Sequence, residues 1–208
     1  MQREQETPLP EELLITVPAT ASVNLDLVEV FLQINGNRDA GDAHPLTGEQ
    51  IRLALWFAQT YNLDPYQGQV AIMYGRPYLT ERGAVANAAR NPDYNGHDLE
   101  HVPQADLEGL NLTREDVAWI CRVYHKGREH PTTDIGVVTH QELVELRGKV
   151  FRNLRSEQRS QNLTDAALEQ QVDQRLRYLP LYTTPGKMAM ARAVRRAHTL
   201  AFPLVPSS

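Results

Sequence analysis

Val117-Ala118-Trp119-Ile120-Cys121-Arg122-Val123-Tyr124-His125 is the stretch of this 208-residue chain that decides its fold class. β-Branched and aromatic side chains dominate it, and these fit a pleated, half-buried surface. Lys126-Gly127-Arg128 follows as a turn signal, which makes Thr132 to Val138 the expected hairpin partner. Upstream, Gln69 to Tyr74 (QVAIMY) reads as another strand, Gly75-Arg76-Pro77 as a turn, and Pro77 to Thr80 as a second short strand. Helices fill the spaces around these hairpins. Thr47-Gly48-Glu49-Gln50 has the form of a capping box. The helix it opens is expected to run to about Asn62, burying Ile51, Leu55, Ala58 and Tyr61, and to end at Leu63-Asp64-Pro65. A small-residue helix is expected from about Glu81 to Asn91. Thr139 and Glu142 form a second capping box for a helix from His140 to about Ser156. Another helix is expected from Thr164 to Tyr178. The last begins at Thr184-Pro185 and stops before Pro203. The order predicts an α+β chain, with a small, largely antiparallel sheet of β-hairpins packed with helices.

Three regions follow along the chain. Residues 1–45 form an acidic segment in which Leu27, Val30, Phe31 and Ile34 fall at helical spacing, residues 46–203 the main domain, and residues 204–208 a short tail. No internal repeat is visible. Hydrophobic content of 41% and charged content of 23% are ordinary for a soluble globular domain. The apolar runs are far shorter than the roughly 18 residues of a membrane span. Met1 to Pro10 is polar and acidic, unlike a secretory signal. A single cysteine, Cys121, fits a reducing compartment. A cytoplasmic location is expected.

Net charge is −5, which taken alone argues against a nucleic-acid partner. The distribution of that charge points the other way. Residues 1–50 carry nine acids against two arginines and stand at −7, which leaves the rest of the chain at +2. A second acidic cluster occupies Asp93–Asp116, whereas no acid occurs from Pro180 to Ser208, where Lys187, Arg192, Arg195 and Arg196 stand. Such segregation permits a basic groove on an acidic protein. In the last helix Met190, Val194, Ala197 and Ala201 share one face, with Arg192, Arg195, Arg196 and Thr199 roughly opposite. That geometry buries one side and offers guanidinium groups for phosphates, though a solvated helix face reads the same way. Arg152, Arg155 and Arg159, preceded by Arg147 and Lys149, make a second stripe. Arg122 and Lys126 sit on the central hairpin, with Arg76 and Arg82 near the first.

Signs of catalysis are poor. Cys121 lies inside an apolar strand and reads as core. His97 and His101 flank Asp98 and Glu100 without a helix to align the two imidazoles. There is no phosphate loop and no H-E-x-x-H. No enzyme activity, catalytic residue, metal or cofactor is expected.

Several stretches taken in order resemble the RecT/Bet family of phage-type single-strand annealing recombinases. Tyr61-Asn62-Leu63-Asp64-Pro65-Tyr66 with Gln69-Val70-Ala71-Ile72 is similar to that family's helix end and first strand. Tyr74-Gly75-Arg76-Pro77-Tyr78-Leu79-Thr80 with Gly83 resembles its hairpin, and Arg90-Asn91-Pro92-Asp93-Tyr94-Asn95-Gly96 its next motif. Ala118–Tyr124 with Lys126-Gly127 resembles the following strand and turn, and Pro185-Gly186-Lys187-Met188 through Arg195 to Ala201-Phe202-Pro203 the closing helix. The pattern breaks at Glu81-Arg82-Gly83-Ala84, where the family carries an acid-glycine-aromatic cluster. The stretch from about 143 to 182 reads as an added helical pair.

The resemblance implies a single-stranded DNA-binding protein that pairs complementary strands without ATP and assembles into rings or filaments. Its partners would be single-stranded DNA, the annealed duplex, copies of itself, and an exonuclease or single-strand-binding protein, in a bacterial host cytoplasm. Lys187 and Arg195 match the family's closing helix most directly, followed by Arg192 and Arg196. Arg82 and Lys126 enter by their hairpin-end positions, and Arg122 and Arg76 complete the expected DNA-binding set. The acidic N-terminal segment is expected outside the groove, shielding it or touching a neighbouring subunit. Two other readings stay open, a DNA-binding or assembly protein that does not anneal and an accessory subunit of a nuclease.

Overall fold

The computed structural model describes Asp39, residues 45–157 and residues 164–206. These residues form six helices and two small antiparallel sheets, so the α+β expectation holds. The apolar periodicity over Leu27 to Ile34 and the tail end at 207–208 lie outside the described residues.

Helix α1 (Gly48–Thr60) opens on the reciprocal capping box read from sequence, with Thr47 and Gln50 bonding each other's backbone amides. It buries Ile51, Leu55 and Ala58 against strands β1 (Val70–Met73) and β2 (Arg76–Leu79), while Tyr61 is only half-buried beyond its end. The pleat divides this hairpin. Val70, Ile72 and Leu79 face α1, which leaves Ala71, Met73, Arg76 and Tyr78 on the other side. Helix α2 (Glu81–Ala89) is capped by Thr80 and packs so closely on the hairpin that a Cβ on Gly83 would stand 2.2 Å from the Gln69 carbonyl oxygen.

The second sheet has three strands in the order β3 (Tyr94–His101), β4 (Val117–His125) and β5 (Thr132–Val138). β4 and β5 fall where the sequence places them. β3 is an addition to that reading. Its sequence, YNGHDLEH, is polar and contains Gly96 at φ 91° beside a register shift between Tyr94 and His97. An edge strand is commonly charged and bulged, because these features discourage pairing with another chain. They also hide it from pattern reading.

One face of this sheet buries Ala118 with Val102 and Leu107, and partly covers Ile120, Ile135 and Val137. The other face receives the closing helix α6 (Pro185–Ala201), whose Ala193, Val194 and Ala197 pack on Cys121 and Val123. The small residues Ala189 and Ala193 bring the helix backbone onto Gly136 of β5, where a Cβ would lie 2.0 Å from the Ala189 carbonyl oxygen. Phe202 closes the arrangement, stacked on His125 at 4.4 Å and edge-on to Tyr94 at 5.7 Å.

The two helices expected before the closing helix are present as α3 (His140–Glu157) and α4 (Asp165–Leu176), followed by the single turn α5 (Pro180–Thr183). The two helices share their own core of Val150, Leu154, Leu168, Val172 and Leu176. Arg147 holds them together, reaching Glu169 and Asp173 at 2.6 Å each.

Candidate nucleic-acid interface

Eight basic residues were read as DNA-binding, and the fold distributes them over both faces of the three-stranded sheet. On β4, Cys121 and Val123 face α6, so alternation sends Arg122 to the far side. There Arg122 is paired with Glu100 of β3 at 2.6 Å, while Tyr124 donates to Asp98 at 2.8 Å. Lys126 donates to the Pro92 carbonyl oxygen at 2.8 Å, tying the β4–β5 turn to the start of β3. These two cations do not join the α6 group.

The α6 face differs from its sequence reading in composition. Ala189, Ala193, Val194, Ala197 and His198 are buried, whereas Met190 and Ala201 are only partly covered. The arginine side is partly covered too, with the start of α3 at Arg192 and the β1–β2 hairpin at Arg195, while Arg196 stays exposed. Arg192 is half-buried. It donates to both Glu142 carboxylate oxygens at 2.8 and 2.6 Å and to the Val137 carbonyl oxygen at 2.7 Å. The Thr139 hydroxyl accepts from the Glu142 amide, but the Glu142 side chain is drawn to Arg192, so the second capping box is only half made. Arg196 pairs with Asp134 of β5 at 3.2 Å.

Arg192 is therefore a structural clamp between α6, β5 and α3. Arg192→Ala should lower stability by roughly 1.5–3 kcal/mol, since it strands a partly buried carboxylate. A urea midpoint unchanged from wild type would refute that role.

Arg195 is placed differently. Its guanidinium lies 4.9 Å from the ring centre of Tyr78 on β2, and it is in no ion pair among the described residues. Its Nε is buried without a hydrogen-bond partner. Arg76 shares the hairpin face of Tyr78 and is exposed. At the hairpin tip, the Lys149 ammonium of α3 lies 5.0 Å from the ring centre of exposed Tyr74. Lys187 is exposed in the first turn of α6. Arg82, also exposed, lies on the other flank of α6. It lines a cavity of about 640 Å³ with Gln69, Val85, His97, Met190 and Val194. On α3, Arg152 and Arg155 are exposed, while Arg159 lies outside the described residues.

The result is a seam between the β1–β2 hairpin and the helices α3 and α6, in which cations sit on tyrosine rings. A cation over a π face stays available to a phosphate, whereas one in a carboxylate pair is already neutralised. The sequence reading missed Tyr74 and Tyr78. The alternation of β2, which puts Tyr78 beside Arg76, was the available signal.

Cys121 is fully buried, and burial pushes its thiol up to about 11. Among the described residues no group of three His, Cys, Asp or Glu side chains could hold a metal ion. Nor is any described helix long and apolar enough to cross a membrane. No protein-family model matches the chain, and no curated protein matches it.

Proposed function

We propose that the chain is a single-stranded DNA-binding protein with the core of a single-strand annealing protein, and that it pairs complementary strands without ATP. The observation that carries the reading is Arg195, held over Tyr78 with no carboxylate partner among the described residues, beside Arg76 on the same hairpin face. Two DNA strands repel through their phosphates, and cations that neutralise them lower the barrier to pairing. The strands supply sequence recognition themselves, so the protein needs phosphate contacts and a few aromatic platforms. Tyr74 and Tyr78 fit the second role. The ordered resemblance of the motifs to the RecT/Bet family points the same way. Assembly into rings or filaments in a bacterial cytoplasm, with an exonuclease or a single-strand-binding protein as partner, belongs to the same proposal.

Lys187 and Arg195 are the leading phosphate contacts, with Arg76 and Arg82 next. Arg122, Arg192 and Arg196 have protein carboxylates to satisfy them, and Lys126 a carbonyl oxygen. A well-formed charge-assisted contact contributes about 1.5–3 kcal/mol. A Lys187→Ala/Arg195→Ala variant should therefore bind oligonucleotides at least tenfold more weakly, whatever their sequence. Its thermal midpoint should fall only slightly, because the Tyr78 contact contributes about 1 kcal/mol or less at a partly exposed site.

The decisive assay follows duplex formation from two complementary labelled strands without ATP or metal. Acceleration by wild type, lost in the variant and weakened by salt, is the expected result. Binding without acceleration would leave a non-annealing DNA-binding protein, and metal-dependent loss of the label would indicate a nuclease component. A double variant that anneals at the wild-type rate would move the groove elsewhere.

A further inference from the structure

The β1–β2 turn already holds an anion. Tyr74 and Gly75 stand at φ 52° and 76°, both left-handed, between the paired residues Met73 and Arg76. A two-residue turn of this kind matches the twist of its strands and points its two amide N–H groups away from the ladder. Adjacent outward amides form a small concavity that suits one carboxylate or phosphate group. Here both donate to Asp39, Tyr74 N–H to one oxygen at 2.7 Å and Gly75 N–H to the other at 2.6 Å. Asp39 is 4% exposed, so its carboxylate is held in the turn. One neighbour gives this spot a positive setting, since the Lys149 ammonium lies over the Tyr74 ring. Asp39 itself comes from the chain's most acidic stretch, residues 1–50 at −7.

We propose that the Tyr74–Gly75 turn is a phosphate-binding site of the DNA groove, occupied in cis by the Asp39 carboxylate, which a backbone phosphate of the bound strand displaces. The inference rests on the DNA-binding reading above and adds its regulation. A carboxylate and a phosphate present the same pair of acceptor oxygens to two amides, so they compete for one position. Binding of DNA then has to release Asp39. Asp39 thus sets the affinity of the groove from the hairpin tip.

The test compares the full-length chain with its Asp39→Ala and Asp39→Asn variants. Asp39→Ala empties the site, and it should bind a labelled single strand about tenfold more tightly than wild type at moderate salt. Asp39→Asn keeps one acceptor oxygen and should lie between the two. Glu108→Gln, which removes one exposed charge from the connection between β3 and β4, should stay near wild type. An equal gain from Glu108→Gln would reduce the effect to net charge and overturn the proposal. So would Asp39 variants that bind no tighter than wild type, for Asp39 would then be a turn clamp alone.

A second measurement does not need DNA. Inorganic pyrophosphate should raise the thermal midpoint of Asp39→Ala clearly more than that of wild type, because a ligand stabilises the state that binds it. An equal response of the two proteins overturns the site. If Asp39→Ala does not fold, Asp39→Asn carries both measurements. If no form binds DNA but pyrophosphate stabilises the Asp39 variants more than wild type, the anion site stands and the DNA-binding reading fails.

Discussion

Gly136→Ala should destabilise the protein by about 3 kcal/mol or more, enough to detach the closing helix from the sheet. The added methyl would lie 2.0 Å from the Ala189 carbonyl oxygen and 2.3 Å from the Ala193 amide nitrogen. Both are helix backbone atoms, so no side-chain rotation relieves the overlap. Either α6 moves outward or β5 bends away. Outward movement separates Ala193, Val194 and Ala197 from Cys121 and Val123, and it pulls Arg192 from Glu142 and Arg195 from Tyr78. DNA binding should then fall together with stability. Gly48→Ala is the control, since a Cβ there meets nothing within 4 Å. Urea unfolding of the two variants should give a large loss for the first and little change for the second. Similar midpoints would show that α6 does not rest on β5 as described.

Where the sequence was legible, a backbone requirement had left a side-chain signature. Thr47 and Gln50, Thr80, Thr164 and the Val117–His125 run each mark an element by local chemistry, and each element starts where that chemistry places it. Several residues of the family-like motifs turn out to bind one another. Arg90 donates to the carbonyl oxygens of Tyr61 and Asn62 at 3.3 and 2.7 Å, joining two motifs that lie 29 residues apart. Asn87 of α2, outside those motifs, donates to the Phe202 carbonyl oxygen at 2.9 Å. Gly83 stands where any side chain would strike the Gln69 carbonyl oxygen.

The illegible parts were tertiary. No periodicity rule says that Glu142 leaves its own helix cap for Arg192. A helical wheel gives the arginine side of α6 but not the hairpin that covers it. β3 was invisible because its outer face answers β4 with charges, Asp98 and Glu100 meeting Tyr124 and Arg122. Those pairs also explain the acidic cluster in this part of the chain. Part of its charge lies against a cation and a phenol on the sheet face away from α6.

Acid should weaken the same helix through His198. This histidine is fully buried at the end of α6. Its Nδ1 lies 2.8 Å from the Val194 carbonyl oxygen, and its Nε2 lies 3.4 Å from the Tyr94 hydroxyl. The Tyr94 hydroxyl is also 2.8 Å from His97 Nδ1, and the two imidazoles pack edge to face at 4.7 Å. Burial disfavours the charged form, and His198 is pushed down to about 4, with His97 opposing its protonation as well. An unfolded histidine titrates near 6.5. The folded value is the lower one, so the unfolded chain takes up the proton first as pH falls. Stability is then complete above about pH 6.5 and declines as pH drops toward 4. By pH 4.5 the loss from this one group is on the order of 2 kcal/mol. Burial lowers His97 too, against the opposing pull of Asp98, and its loss has the same sign. His198→Leu keeps an apolar side chain in the core and removes the titration. Thermal midpoints at pH 7.5 and 4.5 should therefore differ much less in the variant than in wild type. The remaining difference would come from His97, His125 and the carboxylates. A variant that loses as much as wild type over this range would show that His198 is packing alone, and that the acid response of α6 arises elsewhere.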